Sequence, residues 1–385
     1  MGKRTFTRAA FTSAKSTEGV SSGRRVTAAA ERQAMATGKL EALVDPAGFG
    51  VIRLSLPRVE KTPEELWEML VGCPLPVETC VDTTGSMGDN VDVAMKVMPN
   101  AFESIQKVTD GYDVQIATGI FGDFKDRFIL CRPQFEMEAD KIVKQLTLMV
   151  PEGGGQDHAE DPDYSLFAGA YLCRHYINRI GLKGYHFIAT DAPGRGMIDP
   201  AHVVRVFGEE AWDKVAENGH RIRKGQHQTS DVWEALLDRA HAFVLQVGDC
   251  PEAKAFWLDV AGEDRLISLP QMRFMPQVQA VIIGLTEGTL VLNDVPGFLE
   301  GLKTGNETIK PQWIDKIVES VVNVPVGAQQ QLPDYGRRPQ KGDLFDGKPD
   351  VWEDNHIWPI ESAAEAVETE DGDDLTETTD DDQWL

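Results

Sequence analysis

The chain has 385 residues, 42% of them hydrophobic, enough for one large domain with extensions or two modest domains. Its net charge of −24 argues against a general nucleic-acid binder, because phosphate binding needs clustered Lys and Arg. No run of about 18 apolar residues occurs, so no transmembrane helix is predicted.

The charge is uneven along the chain. Residues 1–38 hold Lys3, Arg4, Arg8, Lys15, Arg24, Arg25 and Arg32 against Glu18 and Glu31, without sustained periodicity and without the apolar core of a secretory signal. This stretch reads as a basic disordered arm, although its Ser/Thr-rich, acid-poor composition also fits an organelle transit peptide. Residues 39–73 read as a strand–helix extension packing on the core. Residues 49–57 alternate as a strand, and Thr62-Pro63-Glu64-Glu65 has the order of a helix start running to about residue 71: a Thr cap, Pro at the first position, acids in the first turn.

From residue 74 to 288 the pattern becomes regular. Strands are predicted over 77–81, 112–121, 127–132, 185–190, 242–247 and 265–269. Between them, helices are predicted over 90–108 (kinked at Pro99), 138–149, 162–180, 201–218, 230–239, 252–261 and 275–285. Strands alternating with helices predict an α/β domain with a doubly wound, mostly parallel central sheet flanked by helices. Function in such sheets gathers at the carboxyl ends of the strands. Residues 289–325 read as a helical extension with a helix starting at Lys310-Pro311, and 326–385 as an extended, acidic, disordered tail ending in Asp-Asp-Asp-Gln-Trp-Leu. The N- and C-terminal extensions are expected to be flexible.

Cys73, Cys80, Cys131, Cys173 and Cys250 are odd in number, scattered and without a CxxC, which argues against a disulfide framework or a zinc ribbon and fits a reducing cytoplasm. No GK[ST] follows the glycines 153–155, no HExxH occurs, and Ser86 has no G-x-S-x-G around it. The sequon at Asn306 is read as chance.

Three predicted loops each deliver an acid to the same edge of the sheet. After the first core strand comes Asp82-Thr83-Thr84-Gly85-Ser86, with one carboxylate and two hydroxyls at alternating positions. A Gly-rich loop carries Asp157, and Asp191-Ala192-Pro193 follows another strand. Gathered acids repel, and a cation relieves the repulsion. Hard oxygens of this kind suit Mg²⁺, with Mn²⁺ and Ca²⁺ as the other candidates.

These motifs resemble the von Willebrand factor A family with its metal-ion-dependent adhesion site, over about residues 74–287. The family's DxSxS stands here as Asp82-Thr83-Thr84-Gly85-Ser86, its GGGDxPE form as Gly154-Gly155-Gln156-Asp157-His158-Ala159-Glu160, and its strand-ending Asp as Asp191-Ala192-Pro193. Gln156 and Ala159 depart from the second pattern. The resemblance implies a Rossmann-like fold in which Asp82, Thr84, Ser86, Asp157 and Asp191 hold the metal, with an open position for an acidic residue of a protein partner. It implies a cytoplasmic, non-enzymatic interaction module, in some relatives working beside an AAA+ ATPase. Two other readings are a self-assembling structural protein, whose basic head and acidic tail attract across copies, and a metal-dependent phosphoester hydrolase. The hydrolase would draw on Asp123, His158 and Glu160. Neither membrane nor nucleic acid is an expected partner.

Overall fold

The computed structural model describes Ser13, Ser16 and residues 27–48, 50–155, 158–304, 307–333 and 335–345. Asp157, Phe49, Asn306 and the acidic run 361–385 lie outside the described residues.

In chain order the elements are α1 (Ala28–Thr37), β1 (Arg53–Ser55), β2 (Val59–Lys61), β3 (Trp67–Met69), β4 (Cys73–Asp82), α2 (Asp89–Val97), α3 (Ala101–Gln106), β5 (Tyr112–Phe121), β6 (Leu130–Cys131), α4 (Ala139–Thr147), α5 (Asp163–Tyr171), β7 (Cys173–His175), α6 (Tyr176–Arg179), β8 (Gly184–Thr190), β9 (Met197–Ile198), α7 (Pro200–Phe207), α8 (Ala211–Glu217), β10 (His227–Gln228), α9 (Thr229–Leu237), β11 (Ala240–Val247), α10 (Pro251–Ala261), β12 (Leu266–Leu269), α11 (Met275–Glu287), α12 (Val295–Glu300) and, after a short hairpin, α13 (Pro311–Ser320).

The central sheet has six strands in the order β12-β11-β8-β4-β5-β6. Five are parallel, and the short edge strand β6 runs antiparallel to β5. β4 is the pivot: it pairs with β5 on one side, Asp82 opposite Phe121, and with β8 on the other, Val81 opposite Ala189. The chain moves outward from β4 to β5, then crosses back to β8 and continues to β11 and β12. The crevice at the carboxyl ends of β4 and β8 is therefore the topological switch point.

Helices cover both faces. Val77, Val81, Phe187, Phe243 and Leu245 pack with α2, α3 and α11 on one face, while Cys80, Ile188 and Val244 pack with α5, α9 and α10 on the other. With both faces covered, every residue of β4, β5, β8 and β11 is buried, including the polar Glu78, Asp113, Gln115, His186 and Gln246. Every residue of α11 is buried: it packs against α2 and α3, and the 328–331 turn packs beside it. The doubly wound α/β architecture expected from the strand–helix alternation is the one observed.

Several elements differ from expectation. Residues 62–71 are no helix: Thr62-Pro63-Glu64-Glu65 turns a hairpin between β2 and β3. Thr62 N–H donates to Leu66 O (2.7 Å), Leu66 N–H to Thr62 Oγ1 (3.2 Å), and Glu65 sits at φ 63°. A Thr-Pro pair serves a turn as well as a helix start. The buried Arg58–Asp113 pair (2.6 Å) ties the chain just before β2 to β5. Residues 28–37, assigned to the arm, form α1, whose Ala-rich sequence favours helix and which ends at Gly38 in the left-handed region (φ 75°). The single helix expected over 162–180 is split by β7, which pairs in parallel with β1. The helix expected over 201–218 is split at Gly208 (φ 85°). The strand expected over 127–132 shrinks to β6. In the expected tail, residues 328–331 form a 3₁₀ turn whose buried Gln329 bonds Lys183 and Glu287, and Leu344 bridges to Glu68.

Candidate metal centre

β4 ends on Asp82, which is fully buried. Its Oδ1 accepts from the Thr84 backbone N–H (2.8 Å) and from Thr84 Oγ1 (2.7 Å), the local turn that an Asp makes with the residue two positions on. Its Oδ2 accepts from Thr190 Oγ1 at 2.6 Å, across the switch point from the end of β8. Thr84 Oγ1 lies 3.3 Å from Ser86 Oγ, and Ser86 Oγ donates to Asp191 Oδ1 at 2.9 Å. Asp82, Thr84, Ser86 and Asp191 thus form one continuous chain of oxygens. It runs from the buried strand end to the exposed Ser86, with Asp191 half-buried. Four of the five residues singled out in the sequence are brought together; the fifth, Asp157, lies outside the described residues.

The Gly-rich loop closes over this chain from one side. Gly85 N–H donates to Gly154 O (2.8 Å). At Gly154 a Cβ would fall 1.7 Å from Asp126 Oδ1, and at Gly155 (φ 106°) it would meet Glu160 Oε1 at 2.9 Å and Thr84 Cβ at 3.4 Å. A side chain at either position would displace Asp126 or Glu160, and at Gly155 the backbone conformation also favours glycine.

Three residues not assigned to the centre from the sequence belong to it. Thr190 holds Asp82. Glu160, entertained only for the hydrolase, is 3% exposed and stands beside Thr84 and Gly155; its Oε2 has no hydrogen-bond partner among the described residues. Its N–H donates to Pro193 O at 3.0 Å, next to Asp191. Arg195 is the third. It donates from Nη2 to Asp123 Oδ2 (2.5 Å) and from Nε to Asp161 Oδ2 (3.0 Å). The Glu at the end of the Gly-rich motif was a usable signal for Glu160. Arg195 pairs with an acid 72 residues away, which no local pattern reveals.

The electrostatics follow from burial. Burial pushes Asp82 up to about 6, against the pull of its hydrogen bonds from Thr190 and Thr84. Glu160 is pushed up to about 9, first by burial and then by the charges of Asp82 and Asp123, with Arg195 opposing. Two carboxylates at one strand-end crevice thus hold their protons well above the usual range. That is the condition a divalent cation relieves, and Glu160 Oε2 is a buried oxygen with no hydrogen-bond partner among the described residues. The donors are all oxygens, carboxylate or hydroxyl, which fits a hard cation with water filling further positions. Among the described residues no group of three or more His, Cys, Asp or Glu is placed to hold a metal ion, so the fit rests on the Asp82 and Asp191 carboxylates with the Thr84 and Ser86 hydroxyls.

Two arrangements bear on catalysis. Asp123 is fully buried and engaged by Arg195 and by the Lys125 N–H (2.7 Å), so its carboxylate is already occupied, while His158 is exposed. On the α5 face, Ser165 Oγ lies 3.3 Å from His186 Nε2, and His186 Nδ1 lies 3.4 Å from Glu78 Oε2, an order that resembles a nucleophile relay. All three are at most 3% exposed, and Arg132 grips Glu78 at 2.6 and 3.1 Å, so the trio is internal packing of polar groups and offers no nucleophile to a substrate.

No family model matches the chain, and no curated protein matches it. Among solved structures it is similar to the open conformation of the pilus adhesin SpaC from Lactobacillus rhamnosus GG, at 14% identity and a TM-score of 0.38, covering 60% of this chain and 33% of that one. It is similar to proximal thread matrix protein 1 from the mussel byssus with a zinc-occupied MIDAS motif, at 11% identity and a TM-score of 0.37, covering 56% and 46%. It is also similar to a von Willebrand factor type A protein from Catenulispora acidiphila, at 11% identity and a TM-score of 0.33, covering 57% and 44%. The chain spans a third to under half of the length of these proteins. These are similarities; the architecture stands on the strand order and registers of this chain, and the candidate centre on its own residues.

Proposed function

We propose that this chain is a metal-dependent protein-interaction module, not an enzyme. In this reading Asp82, Thr84, Ser86 and Asp191, with Asp157 from the Gly-rich loop, hold Mg²⁺, or Mn²⁺ or Ca²⁺ in its place. A bound divalent cation supplies an electrophilic position that a carboxylate of the partner completes. The observation that carries the reading is the run of oxygens from Asp82 Oδ1 through Thr84 and Ser86 to Asp191 Oδ1, at the switch point of the sheet. It begins on a buried acid held well above its ordinary protonation range.

The chain's own residues divide the work. Thr190 and the Thr84 N–H fix the Asp82 carboxylate in one orientation. Ser86 and Asp191 stand at the exposed end, where a partner arrives. The glycines at 154 and 155 let the second loop approach closely enough to complete the rim. The partner is a protein presenting an Asp or Glu; an AAA+ ATPase in the cytoplasm and a second copy of this chain are the two candidates to try first.

The test is calorimetric titration of Mg²⁺ and Mn²⁺ into chelator-stripped protein and into Asp82→Ala. Saturable binding to the parent alone supports the reading and opens a metal-dependent pull-down for the partner. Equal binding to both, or binding to neither, rejects it.

A further inference from the structure

Arg195 lies on the loop that follows β8, in the same loop as Asp191, and its side chain is 21% exposed. It touches three segments around the candidate centre. Its guanidinium bonds Asp123 in the loop after β5 (2.5 Å) and Asp161 beyond the Gly-rich loop (3.0 Å), and it stacks on the Phe124 ring at 4.4 Å from the centroid. Its backbone N–H donates to Asp163 Oδ2 at the start of α5 (3.3 Å). The same three segments are tied by the Phe124 N–H to Asp161 Oδ2 (2.6 Å) and by the Glu160 N–H to Pro193 O (3.0 Å).

Asp123, Asp126, Glu160, Asp161 and Asp163 are all buried, none more than 8% exposed. Carboxylates gathered out of water repel unless a cation or protons intervene. The Arg195 guanidinium, with its fixed fork of donors, joins two of them at once, which an ammonium on a flexible stem does poorly.

Resting on the metal reading above, we propose that Arg195 is a positioning residue of the centre. By bracing the loop of Asp191 against Asp123 and Asp161, it sets where Asp191 stands opposite Ser86 and where the Gly-rich loop lies over Thr84. The competing idea is that Arg195 only repels an incoming cation. The two predict opposite signs: loss of the brace weakens metal binding, whereas loss of a repelling charge tightens it.

The experiment uses the full chain, stripped with chelator and titrated with Mn²⁺, as the parent, Asp82→Ala, Arg195→Ala and Arg195→Lys. Arg195→Ala is expected to lose about 10- to 100-fold in Mn²⁺ affinity, the range for residues that orient metal ligands from behind. Arg195→Lys should fall between it and the parent, and methylguanidinium should restore Arg195→Ala, which a general loosening of the fold would not allow. Affinity that is unchanged or tighter in Arg195→Ala overturns the proposal, as does a loss that neither methylguanidinium nor Lys recovers. A metal-free readout separates this from the metal reading. By hydrogen exchange in chelator, the Glu160 and Arg195 amides should open faster in Arg195→Ala while the β4 and β5 amides do not change. If the parent binds no Mn²⁺, the metal reading fails, and unchanged exchange at Glu160 and Arg195 then removes the brace as well.

Discussion

Thr190 Oγ1 donates to Asp82 Oδ2 at 2.6 Å, so the residue before Asp191 at the end of β8 fixes the carboxylate at the end of β4. Both side chains are fully buried. Thr190→Val keeps the shape and removes the donor, leaving one oxygen of a buried acid without its partner. The expected loss is about 1–3 kcal/mol of stability, measured as a lower urea midpoint with an unchanged slope. Thr190→Ser keeps the hydroxyl and should lose much less.

The close packing of the Gly-rich loop gives a second expectation. A methyl at position 154 would overlap Asp126 Oδ1, so Gly154→Ala forces the loop or Asp126 to move. The variant should lose about 1–3 kcal/mol, the range for overpacking, and should bind Mn²⁺ more weakly. Asp126→Ala removes the obstructing oxygens, so Gly154→Ala should be less harmful in that background. A double-mutant cycle reads the coupling directly. Strict additivity of the two losses would show that the contact does not set the loop.

How far the sequence could be read follows from the range of the forces involved. The strands expected over 112–121 and 185–190 match β5 and β8 nearly residue for residue, because these strand-length stretches bounded by turns stand out even where Asp113, Gln115 and His186 interrupt the apolar residues. Asp82, Thr84, Ser86 and Asp191 could be grouped beforehand because an α/β alternation places every strand's end on one edge. Thr190 and Arg195 could not, since a hydroxyl ending a strand and an arginine in a loop have no local spacing that marks them. The helix expected over 62–71 is instead the turn and second strand of the hairpin over 59–69, for a related reason. Thr-Pro-Glu-Glu satisfies either ending, and what flanks the turn is invisible locally: Arg58, just before β2, pairs with Asp113, 55 residues away in sequence.

Glu136 gives a pH prediction away from the candidate centre. It is 2% exposed; its Oε1 accepts from the Met137 and Glu138 N–H groups (2.8 and 3.0 Å), and its Oε2 has no partner among the described residues. Burial pushes it from 4.5 up to about 7. Because its folded value is the higher one, the folded state holds the proton longer than the unfolded chain does. This group's contribution to stability therefore falls as pH rises from about 4.5 to about 7 and is flat above that. Glu136→Gln should remove that slope and be more stable than the parent at pH 8 relative to pH 4. Parallel urea-midpoint profiles for the two proteins across this range would reject the assignment.

Metal removal should be visible in stability itself. A ligand that binds only the folded state stabilises it by mass action, about 2.7 kcal/mol when present at 100 times its dissociation constant. In the proposed reading the stabilisation has a specific source: buried Asp82 is pushed up to about 6 by burial, and a cation offsets that penalty. Adding Mg²⁺ or Mn²⁺ to stripped protein should therefore raise Tm, and the rise should be larger at pH 8 than at pH 6, because fewer protons have to be displaced from the donors. Asp82→Ala should melt at one temperature with or without metal. Asp191→Ala should respond weakly, because it keeps Asp82, Thr84 and Ser86 and loses the half-buried carboxylate that Ser86 donates to. A rise that persists in Asp82→Ala would put the binding elsewhere in the chain and detach it from the strand-end crevice.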